Sequence, residues 1–519
     1  MSTGRRAPAT GPDLLRRRGL GYDRAVGPGR GDGTEEALRT TLALALGCAG
    51  CGSGNGSPAA ATSSPTPTAS PLVASLPLPA AGSEAALLDA VFRIDIERVE
   101  AVFDVYPSDR RVQAQAALTF RMRPGQLRPI VHFEPARSPS GVALRLDGQD
   151  LDPARASDAR LLSFQGTGQT SLELQRDVTP GVPHRLEASY PLALTDTGGR
   201  FFTDVNDIEG RGNEALVPTL NTPHELARHV LVFRVHAAEP YLAVGSGLLA
   251  SRPGGDVQEW VLDTEREVAS YTVMFHLAPA RSHAVAERRV RGVDVRVLAP
   301  IDGVTAEEAF AVLDPWLAEL RGVLGPFPMP RGLGVVLTQS GGGMEYYGAT
   351  TTSLRALRHE VFHMYYGCST VARTYRDSWW DEAIDMWYER SADPAYAAIA
   401  EEFRSDMVSG RSSPAVGFDR RAYDEGARIV QAVAAELGGR DRMLRFLRDL
   451  HARRSFDPLT TWDLADEVRA WSGSDVHERF RLWLYQAPGA PAAAAAPSPW
   501  DWLHRVDMAL PAPGSVPLR

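Results

Sequence analysis

Two histidines and a glutamate in the middle of the 519-residue chain have the types and spacing of a catalytic zinc site. The segment His359–His363 reads H-E-x-x-H, and Glu382 lies 19 residues after His363. Side chains four residues apart lie on one face of a helix, so both imidazoles can reach one ion. Three protein ligands leave a fourth zinc position open to water, which is typical of a catalytic site.

Glu360, directly after the first histidine, is the candidate general base. In H-E-x-x-H helices this glutamate is turned to poise a water rather than to bind the metal. Because zinc lowers the pKa of its water toward neutrality, Glu360 could take the proton and pass it to a leaving amine. Asp385, one turn beyond Glu382, is a candidate partner for a ligand histidine. A surface carboxylate is the alternative interpretation of Asp385.

These residues resemble the zinc signature of the aminopeptidase N-like gluzincins, also called the membrane alanyl aminopeptidase family. In that signature H-E-x-x-H is followed, after an 18-residue gap, by a glutamate in an aromatic W-x-x-E segment, which is Trp379–Glu382 here. The resemblance implies one Zn2+ ion held by His359, His363 and Glu382, with Glu360 as a catalytic residue. It also implies that the substrate is a peptide.

A second motif precedes the zinc signature. The segment Gly342–Tyr346 (GGMEY) is similar to the family's G-x-M-E-N segment. The resemblance implies that its first four residues bind substrate: Gly342, Gly343, Met344 and Glu345. In the family the glutamate binds the free α-amine of the substrate, and the backbone lines the substrate strand. A simple strand end is the structural alternative for Glu345.

A third motif follows the zinc signature. The segment Tyr423–Ala427 (YDEGA) is similar to the family's Y-x-K-G-A. The resemblance implies that Tyr423 is catalytic, because the family tyrosine donates a hydrogen bond to the oxyanion that develops during the reaction. A phenol opposite the zinc would stabilise charge that appears only in the transition state. Packing at a helix start is the alternative for Tyr423.

Three positions depart from the family pattern. Tyr346 replaces Asn in the amine-binding motif, Glu425 replaces Lys in the third motif, and Asp381 stands where the family often has Asn. The resemblance is to a short form that lacks the large C-terminal helical-repeat domain of many members. That domain normally roofs the site, so substrate preference and restriction to N-terminal residues stay open.

Apolar periodicity predicts a multidomain chain. Ile94 and Ile96, and then alternate residues from Val112 to Phe120, predict strands of an N-terminal antiparallel β-sandwich. After residue 284 strands mix with an amphipathic helix at residues 306–324, whose predicted apolar stripe is Phe310, Leu313, Trp316, Leu317 and Leu320. The predicted fold class is therefore a β-sandwich, then a thermolysin-like α+β zinc-peptidase domain that continues into an α-helical C-terminal part.

Composition shifts predict the boundaries between these parts. The predicted parts are a signal or lipoprotein segment (1–48), a disordered Pro/Ser/Thr/Ala linker (49–86), the β-sandwich (87–283), the thermolysin-like catalytic domain (284–405), its helical part (406–488) and a loose tail (489–519).

Two cysteines near the N-terminus suggest where in the cell the protein is located. Cys48 and Cys51 follow a short apolar run and precede a Ser/Pro/Thr/Ala tract. A C-x-x-C pair can be a redox or metal element, but this setting favours a bacterial lipoprotein signal with a lipid on Cys48 or Cys51. We expect an exported protein, lipid-anchored at the bacterial cell surface, with a cytoplasmic location as the alternative. No later segment has 18 uninterrupted apolar residues, so no transmembrane helix is predicted.

Composition also excludes some functions. The net charge of −9 gives no basic field and argues against nucleic-acid binding. His224 and His229 are five residues apart, which on a helix points them about 140° apart and predicts a surface or structural role.

The leading function is a zinc aminopeptidase. The alternatives are a zinc endopeptidase or other hydrolase on the same fold, or a non-catalytic surface lipoprotein that binds a partner, which the intact Glu360 argues against.

Overall fold

The structure, a computed structural model, describes residues 94–123, 128–133, 135, 140–152, 171–193, 208–211, 216–220, 223, 225–247, 250–252, 257–339, 341–374, 377–393, 395–408 and 420–485. The predicted lipoprotein segment with Cys48 and Cys51, the linker and the tail lie outside these residues, as does His224.

Two long strands begin the β region. β1 (Ile94–Tyr106) and β2 (Arg111–Met122) pair antiparallel through a 3₁₀ turn. Alternate residues of β2, such as Val112, Ala114 and Leu118, are fully buried. Successive side chains of a strand point to opposite faces, so the alternation read from the sequence defines the inner face.

The β region continues with eleven further strands among the described residues. They are β3 (Ile130–His132), β4 (Ala143–Leu146), β5 (Gln149–Leu151), β6 (Ser171–Glu173), β7 (His184–Ala193), β8 (Ile208–Arg211), β9 (Leu226–His236), β10 (Tyr241–Gly245), β11 (Ala250–Arg252), β12 (Val257–Ala269) and β13 (Met274–Pro279). Within the described ranges they form an eight-stranded sheet (β11-β12-β9-β1-β2-β7-β4-β5), a three-stranded sheet (β10-β13-β8) and a β3-β6 pair.

Aromatic side chains join the two larger sheets. Phe103 of β1 and Phe233 of β9 stack at 5.3 Å between ring centroids, and Phe275 of β13 lies 4.1 Å from Phe233. All three rings are fully buried. This layered packing confirms the predicted sandwich.

One strand pair differs from the predicted antiparallel pattern. β1 and β9 run parallel, with Val99 opposite His229. Strands separated by more than a hundred residues need no tight turn between them, so a long connection can bring them together in either direction. Periodicity within a strand carries no information about that direction.

The next region is a mixed sheet with one long helix. Its elements are β14 (His283–Val290), β15 (Val293–Pro300), α1 (Ala306–Leu324), β16 (Leu333–Leu337), β17 (Gly343–Tyr346) and β18 (Ala349–Thr352). The strand order is β14-β15-β16-β18-β17, which leaves β17 at one edge. α1 has the predicted bounds and buries the whole predicted apolar stripe. Its start is fixed by reciprocal hydrogen bonds between Thr305 and Glu308.

Helices complete the described chain. They are α2 (Leu357–Phe362), α3 (Trp379–Arg390), α4 (Glu425–Glu436), α5 (Arg440–Arg454), α6 (Thr461–Ser472) and α7 (His477–Tyr485). A 3₁₀ turn, Arg420–Tyr423, precedes α4. No helix in the described part of the chain is both long enough and apolar enough to cross a bilayer.

Candidate metal centre

The H-E-x-x-H segment forms α2 and the start of the turn that follows it. His359 lies within α2, whereas His363 is the first residue after its end. The helical path continues through this residue, since the His363 N–H donates to the His359 carbonyl at 3.3 Å. The two imidazoles therefore face the same side, with 3.2 Å between their Nε2 atoms.

Glu382, the predicted third ligand, enters from α3. Its Oε2 lies 3.2 Å from Nε2 of His359 and 3.5 Å from Nε2 of His363. Donor atoms that lie about 2.0–2.2 Å from a tetrahedral zinc ion are about 3.3–3.6 Å from one another. The structure thus brings the three predicted ligands into a triangle of the size that zinc requires.

Two more carboxylates of α3 face the other nitrogens of the imidazoles. Oδ1 of Asp381 lies 2.7 Å from Nδ1 of His363, and Oδ2 of Asp385 lies 2.7 Å from Nδ1 of His359. By distance alone, two other groups could also hold an ion: His359 with His363 and Asp385, and Glu345 with His363 and Asp381. A separation of 2.7 Å is too short for two ligands of one zinc ion but is ordinary for a charge-assisted contact. The predicted ligand set therefore fits zinc better than either of these.

The sequence predicts Asp385 as a histidine partner, whereas the same contact made by Asp381 was not predicted. Asp381 was visible only as a departure from the family pattern. Its position in the sequence could have indicated this role, because residues 381 and 382 lie four and three residues before 385 and therefore on the same side of a helix. A face that carries a metal ligand presents its neighbours to the same centre.

Burial makes the charges of this centre interdependent. Burial lowers the pKa of His359, but Asp385 and Glu382 outweigh it and raise that pKa to about 10. Burial raises the pKa of Glu382, but the His363 and His359 imidazoles outweigh it and hold that pKa well below its usual range. Buried carboxylates are costly without a compensating charge. A divalent cation supplies that charge while displacing the protons from the ligand nitrogens.

Glu360 points from α2 to the edge strand. It is 4% exposed, and its Oε2 has no hydrogen-bond partner among the described residues. Burial raises its pKa to about 7. Its carboxyl group packs directly on β17, where a Cβ at Gly343 would lie only 2.6 Å from Cδ of Glu360. A buried carboxyl that titrates near neutrality is suited to take and return a proton.

Glu345 lies on the same edge strand and faces the ligand cluster. It is half-buried, and burial raises its pKa to about 8 with the help of the Asp381, Glu360 and Glu382 charges, against the opposing effect of His363. A cation placed beside Glu345 would relieve this repulsion between carboxylates.

The other predicted substrate-binding residues are exposed and form the start of β17 and the residue just before it. The Gly342 carbonyl accepts from the N–H of Ser353 at 2.9 Å, and the Met344 carbonyl accepts from the Thr350 hydroxyl at 3.0 Å. The Met344 side chain is 40% exposed. Within the described ranges no strand pairs with the outer edge of β17. Such an edge can accept an extended peptide as an added strand.

Tyr423 reaches the centre from the 3₁₀ turn before α4. Its hydroxyl donates to Oε1 of Glu382, and its ring lies nearly parallel to that of His359, 6.3 Å away between centroids. α4 can approach α3 closely because Gly426 packs on Ala383, where a Cβ at Gly426 would lie 2.9 Å from that of Ala383. Small residues at this crossing therefore bring Tyr423 to the predicted ligands.

A turn of the sandwich also borders the site, which no motif predicted. Tyr271 lies in the 3₁₀ turn Ser270–Thr272. Burial raises its pKa, and the charges of Asp381, Cys368 and Glu345 act in the same direction. The neighbouring Thr272 carbonyl accepts from the N–H of Tyr347, 2.8 Å away and just beyond β17. Cys368 is a buried, free thiol.

Comparison with known proteins identifies the architecture. No protein-family model and no curated protein matches the sequence. The structure of the M1 zinc metallopeptidase from Deinococcus radiodurans is similar, with 17% identity and a TM-score of 0.56 over 77% of this chain and 95% of that chain. A mutant of that enzyme bound to a Tyr-Ser-Ala substrate gives 18% identity and a TM-score of 0.57 over 78% and 96% of the two chains.

A larger protein shares the same architecture. Aminopeptidase A of Legionella pneumophila, in complex with aspartic acid, is 14% identical with a TM-score of 0.60, over 76% of this chain and 50% of that chain. Identities this low carry information on the fold alone. The described chain therefore has the fold of the M1 zinc metallopeptidases, and the predicted fold class is confirmed.

Proposed function

We propose that the protein is a zinc-dependent aminopeptidase that hydrolyses N-terminal residues from peptides. The observation that carries the proposal is the triangle of donor atoms from His359, His363 and Glu382, with sides of 3.2, 3.2 and 3.5 Å. Glu360, buried beside that triangle without a partner for Oε2, supplies the acid–base group that hydrolysis needs.

Each residue of the centre has a task in this proposal. Zinc, when bound, would lower the pKa of a water and polarise the peptide carbonyl. Glu360 removes the proton of the attacking water and delivers it to the leaving amine. The Tyr423 hydroxyl donates a hydrogen bond to the carbonyl oxygen as negative charge develops there. The edge of β17 aligns the peptide backbone, and Glu345 pairs with the α-ammonium.

The similar structures support a peptide substrate. One carries a Tyr-Ser-Ala substrate and another is named an aminopeptidase. Glu345 supports a preference for substrates with a free N-terminus. An ammonium group beside it would offset the repulsion that its carboxylate experiences from three neighbouring carboxylates.

Replacing Glu360 tests the hydrolytic mechanism. Glu360→Gln keeps the shape of the side chain but removes its acid–base function, so we expect stoichiometric zinc and no measurable cleavage of aminoacyl reporter substrates. Glu402→Gln makes the same chemical change at an exposed position and leaves activity unchanged. Activity that persists in Glu360→Gln would refute the mechanism.

Blocking the substrate amine distinguishes an aminopeptidase from a zinc endopeptidase. Acetylation removes the positive charge that Glu345 would bind, so a peptide and its N-acetylated form should differ in kcat/KM by about 10²-fold or more, as for loss of a buried charged pair. Equal turnover of the two peptides would favour the endopeptidase.

We also propose, from the sequence alone, that a lipid on Cys48 or Cys51 attaches the protein to a bacterial membrane after export. Replacement of both residues by Ser should release the protein into the soluble fraction. Membrane attachment that survives the double replacement would contradict the proposal.

A further inference from the structure

α3 contributes more to the candidate centre than its predicted ligand. Asp381, Glu382 and Asp385 lie on one face of the helix, with Glu382 directed at both Nε2 atoms. Asp381 contacts Nδ1 of His363, and Asp385 contacts Nδ1 of His359, each at 2.7 Å. One helix therefore carries a candidate ligand and the outer partner of both imidazoles.

Burial of the Asp385 carboxylate is energetically unfavourable unless nearby positive charge compensates it. It is 0% exposed, and neither of its oxygens makes an aligned hydrogen bond among the described residues. Its carboxylate lies within ion-pair distance of two ring nitrogens, 2.7 Å from Nδ1 of His359 and 3.5 Å from Nε2 of His363. A buried carboxylate of this kind is strongly destabilising unless its charge is balanced. Among the described residues, the cationic groups within ion-pair distance of Asp385 are these two imidazoles, and an ion that they hold would add to the balance.

The fold makes room for Asp381 by a special backbone. Gly367 has a φ of +122°, in the region that favours glycine, and a Cβ there would lie 2.6 Å from Oδ1 of Asp381. The carboxylate thus occupies a space that any other residue at 367 would fill. From this space it fixes the tautomer of His363, because Nδ1 must carry the proton that both Asp381 and the Tyr366 carbonyl accept.

We infer that Asp381 and Asp385 are positioning residues that hold His363 and His359 with Nε2 turned to the metal, and that they set how tightly zinc is retained. This inference rests on the proposed function. Carboxylates on the outer nitrogens orient ligand imidazoles and raise their basicity, and their loss costs about 10–100-fold in metal affinity.

Glu389 is a second carboxylate that could be the partner of Nδ1 of His359. It lies on the same helix, 3.8 Å from Nδ1 of His359, with a side chain that is 35% exposed. At that distance and exposure its charge is screened by water. Asp385, closer and fully buried, is the partner that the geometry favours.

The test is an equilibrium zinc competition against a chromophoric chelator at fixed pH, with the full-length protein. Asp381→Asn and Asp385→Asn keep the side-chain shape and remove the charge, so each should weaken zinc affinity by about 10–100-fold. Asp302→Asn, an exposed position, is the matched control and should leave the affinity unchanged. Cobalt substitution adds a spectroscopic readout, because imidazoles that turn would alter the absorption bands of the bound Co2+.

The outcomes separate the two proposals. If the wild type binds one zinc ion tightly, and the Asn variants bind zinc as tightly and give the same cobalt spectrum, the inference is overturned and the proposed function stands. A larger loss in Glu389→Gln than in Asp385→Asn would overturn the assignment for His359. A wild type that binds no zinc would refute the proposed function and the inference with it. Circular dichroism of each variant shows whether it is folded.

Discussion

The hydroxyl of Tyr423 can serve two different tasks. In the structure it donates to Oε1 of Glu382, so it could fix that carboxylate for metal binding. In the proposed reaction it would turn to the carbonyl oxygen of the substrate. The two tasks affect different measurable quantities, since fixing Glu382 changes zinc affinity and stabilising developing charge changes kcat.

Tyr423→Phe separates these tasks, because it removes the hydroxyl and keeps the ring beside His359. We expect kcat at saturating zinc to fall by about 10²–10³-fold, as for the loss of one oxyanion donor, with zinc affinity nearly unchanged. Steady-state kinetics and chelator competition measure the two effects. Tyr106→Phe, whose ring stacks on His236 far along the chain, serves as the control. A normal kcat with weakened zinc would instead assign Tyr423 to the support of Glu382.

At the element scale, strongly periodic segments could be predicted from the sequence and long-range pairings could not. α1 spans the residues that its apolar pattern predicts, since burial of one face of such a segment favours a helix. The parallel pairing of β1 with β9 depends on contacts across more than a hundred residues. The close packing of Gly426 on Ala383, just after the 3₁₀ turn Arg420–Tyr423, likewise joins residues that are distant in the sequence.

The candidate centre shows the same division. The identities and spacing of His359, His363 and Glu382 were visible because a motif records them. The role of Asp381 becomes visible only when α3 is packed beside α2, and that of Tyr271 only when a sandwich turn meets β17. Sequence motifs therefore identify the candidate metal ligands, whereas the residues that support those ligands become apparent only from tertiary packing.

At the scale of the whole molecule, the sandwich supports the catalytic region through charged and aromatic contacts. Glu265 of β12 pairs with Arg331, which precedes β16. The guanidinium of Arg266 lies 3.4 Å above the ring of Phe456, which follows α5. Both partners on the sandwich lie where β12 departs from regular pairing with β9, between Asp263 and Glu267. A bulge turns adjacent side chains out of the sheet, so this irregularity makes the contact possible.

The stability of the molecule should also depend on a histidine inside the sandwich. His229 is 0% exposed in β9, and burial lowers its pKa to about 4 from an ordinary value of 6.5. Well above pH 6.5 it is neutral in both the folded and the unfolded chain, so it has no effect on the pH dependence of stability there. As the pH falls below 6.5 the unfolded chain binds a proton that the folded chain excludes, and the free energy of unfolding decreases until the pH reaches about 4.

The total effect of His229 is about 3 kcal/mol, since one pKa unit corresponds to about 1.4 kcal/mol. His229→Gln cannot titrate, so between pH 7 and pH 4.5 its free energy of unfolding should fall by about 2–3 kcal/mol less than that of the wild type. Urea unfolding at the two pH values measures this difference, and the contributions of other titrating groups cancel in the subtraction. Equal losses in the two proteins would mean that His229 is charged or accessible in the folded sandwich, and an NMR titration of His229 in the wild type would then give a pKa near 6.5.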